Sequence, residues 1–218
     1  MQSISTYKNL ALASLKGKWE DPVITTLVYA AIVMVLGQAM TLPFALMGTD
    51  NGAVSIVSLL LLPLQWGFYV YFLNFKRGQY ALKNIFDGYT SQNFVRTLLT
   101  LILYTIIILI GLILLIVPGI ILMLMYSQTY FLMKDEPELK NMAALRKSAD
   151  MMKGHKMQLF KLCFSFIGWI ILALCTFGIG FLWLEPYMFT TLAHYYEDLK
   201  AEYAARDNYV TSEYAKAE

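Results

Sequence analysis

The positions of the basic residues constrain the fold of this chain more than any other feature of its sequence. All 17 Lys and Arg residues fall in four segments, which are residues 1–22, 76–96, 134–161 and 197–218. The apolar stretches between these segments contain no basic residue, and each is long enough for two membrane-crossing helices. Loops on the cytoplasmic side of a membrane are enriched in Lys and Arg. The distribution therefore predicts a membrane protein with its N- and C-termini in the cytoplasm.

Composition supports this prediction. Hydrophobic residues make up 58% of the 218-residue chain and charged residues only 15%, which is too apolar a mixture for a soluble domain. The formal net charge of +2 gives no sign of a nucleic-acid-binding surface, so no nucleic acid is expected as a partner. Segment 76–96 (four basic residues, one acidic) and segment 134–161 (seven basic, four acidic) are each net +3. We expect these two segments to face the anionic lipids of the inner leaflet.

The apolar runs predict an all-α fold, a polytopic membrane bundle of six transmembrane helices arranged as three hairpins. A crossing helix needs about 20 mostly apolar residues. The predicted crossings are residues 23–47, 54–75, 94–117, 120–133, 157–175 and 179–196. Residues 1–199 then form a single integral membrane domain, and residues 200–218 form a polar cytoplasmic tail.

The second hairpin requires a turn within one long apolar run. As a single helix, residues 94–133 would extend roughly 60 Å, about twice the thickness of the hydrocarbon core. Pro118 and Gly119 suit the two central positions of a type II turn, so we expect the chain to turn there. The helix over 120–133 is short, and the alternative is a re-entrant segment, which would place the basic loop after it outside.

An amphipathic stretch precedes each hairpin. The clearest covers residues 139–152, where apolar residues recur at spacings of three and four, and residues 82–89 and 4–15 show the same spacing. Two interpretations remain open for such stretches. One is a helix in the plane of the membrane interface, and the other is a connector packed on the inner end of the bundle. Gly154 is expected to end the helix over 139–152 in a left-handed conformation.

The segment at the end of this helix offers basic side chains to lipid headgroups. The candidate contacts are Lys147, Lys153, His155 and Lys156. A solvated basic loop is the alternative. The tryptophans also have two interpretations, because Trp side chains at helix ends form an interfacial belt or stack on a ligand. They are Trp19, Trp66, Trp169 and Trp183.

The sequence contains no motif for catalysis, for a metal site or for a cofactor. It has two histidines and two cysteines, without the H-E-x-x-H or Cys-rich spacings of a metal site. Cys163 and Cys175 lie on one predicted helix, roughly 18 Å apart, which is too far for a disulfide. We therefore expect a protein that is not an enzyme and that carries no cofactor.

Glu185 is the only acidic residue inside a predicted crossing. A carboxylate in hydrocarbon is unfavourable by several kcal/mol unless it is paired or neutral, so such residues are candidate functional sites. Counted from the predicted outer helix ends, three glutamines lie in the same slab, about 6 Å thick: Gln38, Gln65 and Gln128. We expect a polar layer in which Gln38 or Gln65 faces the bundle interior near Glu185. Whether this layer is structural or functional remains open.

Motifs in the second half of the chain carry a resemblance to a known family. They are Val117-Pro118-Gly119-Ile120-Ile121, Asp135-Glu136-Pro137, Met152-Lys153-Gly154-His155-Lys156, Phe164-Ser165-Phe166-Ile167-Gly168-Trp169, Gly178-Ile179-Gly180 with Trp183, and Pro186-Tyr187 with Tyr195-Tyr196-Glu197-Asp198-Leu199. Over residues 117–199 the chain resembles the bacterial integral membrane family called domain of unknown function 975. The resemblance implies a multi-pass protein of the bacterial cytoplasmic (inner) membrane. The family has no established activity, so the resemblance implies no functional residues.

The leading functional hypothesis is a non-enzymatic membrane protein that organises lipids or binds another envelope protein. It rests on the amphipathic segments and on the scarcity of polar groups within the predicted crossings. The expected partners are anionic lipids of the inner leaflet, with a membrane protein or a second copy of the chain as further candidates. The alternative is a small-solute or proton-coupled transporter that uses Glu185.

Overall fold

The computed structural model is helical throughout the parts of the chain that it describes, which are residues 1–46, 50–90 and 92–217. Side chains are described over these residues apart from 40–46, 50–58, 60, 114 and 207–217. The α-helices are α1 (Ile4–Leu15), α2 (Glu20–Leu46), α3 (Asp50–Lys76), α4 (Phe94–Leu114), α5 (Ile116–Tyr126), α6 (Thr129–Asp135), α7 (Asn141–Met151), α8 (Lys156–Phe164), α9 (Ile167–Cys175) and α10 (Phe181–Ala217). A 3-10 helix, η1 (Leu82–Tyr89), lies between α3 and α4. The predicted all-α class is confirmed.

Four segments are long and apolar enough to cross a membrane: Glu20–Ala39, Phe94–Ile113, Ile116–Asp135 and Lys156–Cys175. They correspond to the first, third, fourth and fifth predicted crossings. The second and sixth predicted crossings coincide with α3 and with the first half of α10, and their passage through a membrane stays a prediction. The first predicted turn falls largely on residues 47–49, outside the described residues. Because α10 continues to Ala217, the predicted polar tail is helical.

The turn between α4 and α5 lies earlier than the sequence predicted. A single extended residue, Leu115 (φ −166°, ψ 148°), separates the two helices. Pro118 and Gly119 lie in the first turn of α5, where a helix tolerates proline because its missing N–H needs no helical partner. Gly119 instead permits close packing of α5 on α4, because a Cβ built on it would lie 2.4 Å from a side-chain carbon of Leu112. The predicted type II turn at Pro118 is therefore wrong.

Two of the predicted crossings are interrupted helices. α5 and α6 are separated at Ser127 and Gln128, and α8 and α9 are separated at Ser165 and Phe166. At the second break, Nζ of Lys8 on α1 donates hydrogen bonds to the backbone oxygen and the hydroxyl of Ser165, at 3.1 and 3.2 Å. The Lys8 ammonium also lies 4.4 Å from the centre of the Phe166 ring. Burial lowers the pKa of Lys8, and its two oxygen acceptors and this ring offset part of that desolvation.

The segment over residues 82–89 packs on α3 through its backbone. It forms the 3-10 helix η1, in which Ile85 is fully buried. A Cβ built on Gly67 of α3 would lie 2.0 Å from the carbonyl oxygen of Ile85, and a Cβ built on Gly88 would lie 2.3 Å from the carbonyl oxygen of Pro63. Glycine at both positions makes this approach possible. Leu82, Phe86 and Tyr89 of the same segment are exposed, so the segment packs on α3 through Ile85 and both interpretations of it stay predictions.

α7 confirms the helix predicted over residues 139–152, and it too packs on its neighbours. Leu145 is buried, and the helix contacts α4, α5 and α6. The hydroxyl of Ser148 donates to the carbonyl oxygen of Met125 at 3.0 Å and accepts from the backbone N–H of Gln128 at 3.2 Å. α7 is thereby fixed at the break between α5 and α6. Gly154 follows with φ +84°, the left-handed conformation expected from the sequence.

Aromatic rings form the core between α3 and α10. The ring of Phe189 lies parallel to Phe72, with centroids 5.4 Å apart, and meets Phe68 and Tyr69 edge to face at 5.0 and 4.8 Å. The N-terminal helix α1 packs on α10. There the ring of Tyr7 contacts that of Tyr195, with 5.4 Å between the ring centroids.

Candidate functional site

Glu185 and Gln65 lie at corresponding positions of two packed helices. On α10, Glu185 precedes Phe189 by four residues, and on α3, Gln65 precedes Tyr69 by four. The rings of Phe189 and Tyr69 are in contact, and α3 and α10 run in the same direction, since Arg77 and Glu197, each eight residues later, also pair. Glu185 and Gln65, each one helical turn before its ring, therefore lie at the same level. Both side chains are half-buried. Within the described part of the chain, no hydrogen bond or ion pair to the Glu185 carboxylate is formed, and a direct bond to Gln65 stays a prediction.

The other two glutamines of the predicted layer are placed differently. Gln38 is exposed on α2 rather than turned into the bundle. Gln128 is buried, but it lies at the break between α5 and α6, where its Nε2 donates to the hydroxyl of Ser127 at 2.8 Å. Its side-chain oxygen is buried without a hydrogen-bond partner among the described residues. The structure therefore does not join Gln128 to Glu185 by a hydrogen bond.

Three of the four candidate headgroup contacts are paired with acidic side chains of the protein itself. Nζ of Lys147 lies 2.6 and 2.7 Å from the two carboxylate oxygens of Glu136. Nζ of Lys153 lies 2.6 Å from Asp150, three residues earlier on the chain. His155 contacts Glu202, with 3.0 Å between its Nε2 and the carboxylate. Lys156, half-buried at the start of α8, forms no ion pair with any described residue.

A network of charged groups joins α3, α6 and α10, and no sequence motif predicts these pairings. Nη1 and Nη2 of Arg77 donate to the two carboxylate oxygens of Asp135 at 2.7 and 2.8 Å, and Nε donates to Glu197 at 2.7 Å. Lys200 and the hydroxyl of Tyr196 also donate to Asp135. Hydrogen bonding to Asp135 raises the pKa of Arg77 above its ordinary value. These contacts fix the C-terminal ends of α3 and α6 against the middle of α10.

An apolar groove lies between the end of α1, α9 and the first turns of α10. Its volume is about 300 Å³. Its walls include three of the four tryptophans together with aliphatic and aromatic neighbours, among them Leu12, Trp19, Trp169, Leu172, Trp183 and Tyr187. The fourth tryptophan, Trp66, is buried elsewhere and donates its indole N–H to the carbonyl oxygen of Tyr130 at 3.0 Å. Trp19, Trp169 and Trp183 thus line one and the same groove.

Two lysines stand beside this groove. The turn between α1 and α2 carries Lys16 and Lys18 on either side of Gly17, which has φ +74°. Leu12 and Trp19, which precede and follow these lysines in the sequence, both line the groove. Both lysines are exposed, and neither forms an ion pair with a described residue. An apolar groove with two unpaired lysines on the adjoining turn suits an amphiphile with an anionic headgroup.

The described residues contain no group of three or more His, Cys, Asp or Glu side chains placed to hold a metal ion. Cys163 and Cys175 are both free thiols and exposed.

Comparison with known proteins finds one match, in the second half of the chain. A family model described as "Protein of unknown function (DUF975)" matches residues 104–203. These residues include the motifs at 117–199, the break between α5 and α6, α7, Trp169, Trp183 and Glu185. No curated protein and no solved structure matches the chain. Residues 104–203 therefore match the DUF975 family model, in the region whose motifs carry the resemblance.

Proposed function

We propose that this protein organises phospholipids in the bacterial cytoplasmic membrane without catalysing a reaction. The observation that supports this proposal is the tryptophan-lined groove with Lys16 and Lys18 beside it. One acyl chain of a phospholipid occupies the groove, and its phosphate lies between the two lysines. The lipid is an anionic lipid of the inner leaflet.

The proposed topology has six crossings with both termini in the cytoplasm. The four long apolar segments supply four of the crossings, and α3 and the first half of α10 supply the other two. The turn at Leu115 and the turn that contains Phe177 then lie outside. Phe177, which has φ +54° and is 99% exposed, and the rest of that turn contain no Lys or Arg, as expected for an external loop.

Selectivity in this site comes from the headgroup more than from the acyl chain. A bilayer is itself apolar, so moving an acyl chain from the bilayer into the groove yields only packing energy. A lysine near a membrane surface contributes about 1 kcal/mol of attraction to anionic lipid. Two lysines together therefore give about 2 kcal/mol, roughly a 30-fold preference for an anionic over a zwitterionic phospholipid.

Quenching of tryptophan fluorescence by brominated lipids tests the proposal. A Trp66→Phe protein, in which all remaining tryptophans line the groove, is reconstituted into phosphatidylcholine vesicles. A small fraction of phosphatidylglycerol or of phosphatidylcholine, brominated on its acyl chains, is then added. We expect stronger quenching by the brominated phosphatidylglycerol, and we expect Lys16→Gln with Lys18→Gln to remove the difference. Equal quenching by the two lipids in the Trp66→Phe protein would refute selective binding.

A second candidate function, proton-coupled transport, is favoured by Glu185. Its carboxylate is half-buried in α10 and has no hydrogen-bond partner among the described residues. An unpaired carboxylate inside a predicted crossing is the usual mark of a proton or ion pathway. In this case, proteoliposomes with a trapped pH indicator should show a proton flux that Glu185→Gln abolishes in a folded protein. An unchanged flux in Glu185→Gln would exclude this role.

A further inference from the structure

A second cavity, distinct from the tryptophan-lined groove, lies where the first turns of α2 meet the end of α3 and the start of η1. Its volume is about 240 Å³, and its walls mix polar and apolar groups. Asp21 and Thr25 of α2, Tyr71 of α3 and Tyr80 of the connecting segment line it. This arrangement brings a carboxylate, two phenol side chains and an aliphatic hydroxyl to one small space.

The hydroxyl of Tyr71 is the feature that points to a ligand. Tyr71 is only 1% exposed, and its hydroxyl forms no hydrogen bond within the described part of the chain. The side chain of Thr25 lies near this hydroxyl but outside hydrogen-bond geometry. A buried polar group left without a partner is unfavourable by about 1–3 kcal/mol, so a group that hydrogen-bonds to it is stabilised there.

The remaining walls determine which group fits. Asp21 supplies a negative charge, and it forms no ion pair with any described residue. The ring of Tyr80 lies 6.2 Å from that of Tyr71 and 4.8 Å from that of Phe75, measured between centroids. A carboxylate beside electron-rich rings attracts a cation and repels an anion. The hydroxyl oxygens of Tyr71 and Thr25 accept hydrogen bonds, which a primary ammonium donates and a quaternary ammonium does not.

We propose that this cavity binds a primary alkylammonium group, with Asp21 as its counter-ion and the Tyr71 hydroxyl as a hydrogen-bond acceptor. In the proposed topology the cavity lies at the cytoplasmic side of the membrane. The ammonium group belongs to the ethanolamine headgroup of a phospholipid or to a free organic amine in the cytoplasm. The residues of this site do not line the groove, so this inference stands or fails separately from the proposed lipid function.

The chain offers matched variants for a test. Asp21→Asn removes the charge, whereas Glu20→Gln removes the neighbouring acid in the same helical turn, which does not line the cavity. Tyr71→Phe removes only the unpaired hydroxyl. Because that hydroxyl has no partner, we expect Tyr71→Phe to fold with unchanged or raised stability. Loss of binding in this variant therefore reports on the site rather than on unfolding.

Two measurements distinguish the two sources of the ammonium group. In the first, ethylammonium is titrated into the protein in phosphatidylglycerol nanodiscs, and saturation-transfer NMR reports binding. In the second, native mass spectrometry identifies the lipids that remain bound after extraction from nanodiscs of equal parts phosphatidylethanolamine and phosphatidylcholine.

We expect at least one of two signals, ethylammonium binding for a free amine or phosphatidylethanolamine enrichment for a lipid. Asp21→Asn should reduce that signal at least tenfold, Tyr71→Phe should weaken it, and Glu20→Gln should leave it unchanged. The proposal is overturned if neither signal is present, or if Asp21→Asn and Glu20→Gln behave alike. Tetramethylammonium binding as well as ethylammonium would overturn the assigned role of Tyr71.

Discussion

Arg77 and Asp135 form a bidentate salt bridge. Nη1 and Nη2 of the guanidinium each donate to a separate carboxylate oxygen, at 2.7 and 2.8 Å. The Asp135 side chain is 4% exposed, so the pair is shielded from water on the carboxylate side. Parallel hydrogen bonds of this kind hold two groups in a fixed orientation. The pair ties the C-terminal end of α3 to the C-terminal end of α6, and Lys200 adds α10 to the same carboxylate.

Neutralising Asp135 should therefore destabilise the protein strongly. Asp135→Asn leaves Arg77 without its main partner, and breaking a buried pair in this way costs about 3 kcal/mol or more. The exposed pair Lys153–Asp150 supplies the control, since its side chains are 69% and 47% exposed. For Asp150→Asn we expect a change below about 1 kcal/mol. Thermal unfolding in a mild detergent measures both, and equal midpoints for the two variants would contradict the structural role of Asp135.

The contact between Gly67 and Ile85 gives a second prediction. A methyl group at Gly67 would overlap the backbone oxygen of Ile85, so Gly67→Ala should separate η1 from α3 and lower the unfolding midpoint. Gly168 on α9 has open space around the position of a Cβ. Gly168→Ala should be neutral or slightly stabilising, because alanine favours helix by about 1 kcal/mol over glycine. If Gly67→Ala is as stable as Gly168→Ala, the close packing of η1 is wrong.

Cysteine labelling checks the proposed topology. After the two native cysteines are replaced by serine, single cysteines are introduced at four exposed positions, Leu115, Phe177, Arg146 and Ala204. A membrane-impermeant maleimide added to intact cells or right-side-out vesicles should label Leu115→Cys and Phe177→Cys. It should label Arg146→Cys and Ala204→Cys only after the membrane is opened. Labelling of Arg146→Cys from outside would mean that the segment over 120–133 is re-entrant.

The sequence predicted most of the long helices correctly. Each is encoded by a long apolar run without Lys or Arg, which is a feature of neighbouring residues and can be seen in the sequence alone. It placed the turn in the run 94–133 at Pro118, because proline and glycine favour turns. In the structure, one extended residue at Leu115 is enough, and Gly119 serves the packing of α5 on α4 instead. A glycine needed for close approach looks the same in a sequence as a glycine needed for a turn.

The candidate sites were harder to predict, because their residues are far apart in the chain. In the sequence, Lys147, Lys153 and His155 form a basic cluster without an evident partner, but in the structure each pairs with an acidic side chain. The partner of His155 is Glu202, which lies 47 residues later in the chain. Leu12 and Trp183, far apart in the sequence, both line the tryptophan-lined groove. Asp21 and Tyr71 likewise both line the second cavity, between α2, α3 and η1. The sequence showed the tryptophans at helix ends, which is the one local signal for the groove.

The central claim is that the tryptophan-lined groove holds an anionic phospholipid, and filling the groove tests it most directly. Leu12 lines the groove from α1, whereas Leu10 is similarly exposed on the same helix and does not line it. Native mass spectrometry of protein extracted from membranes of mixed phosphatidylglycerol and phosphatidylcholine measures which lipids stay bound. We predict that the unsubstituted protein and Leu10→Trp retain phosphatidylglycerol, and that Leu12→Trp retains at least tenfold less. Equal retention in the two tryptophan variants, or no preference for phosphatidylglycerol in the unsubstituted protein, would contradict the claim.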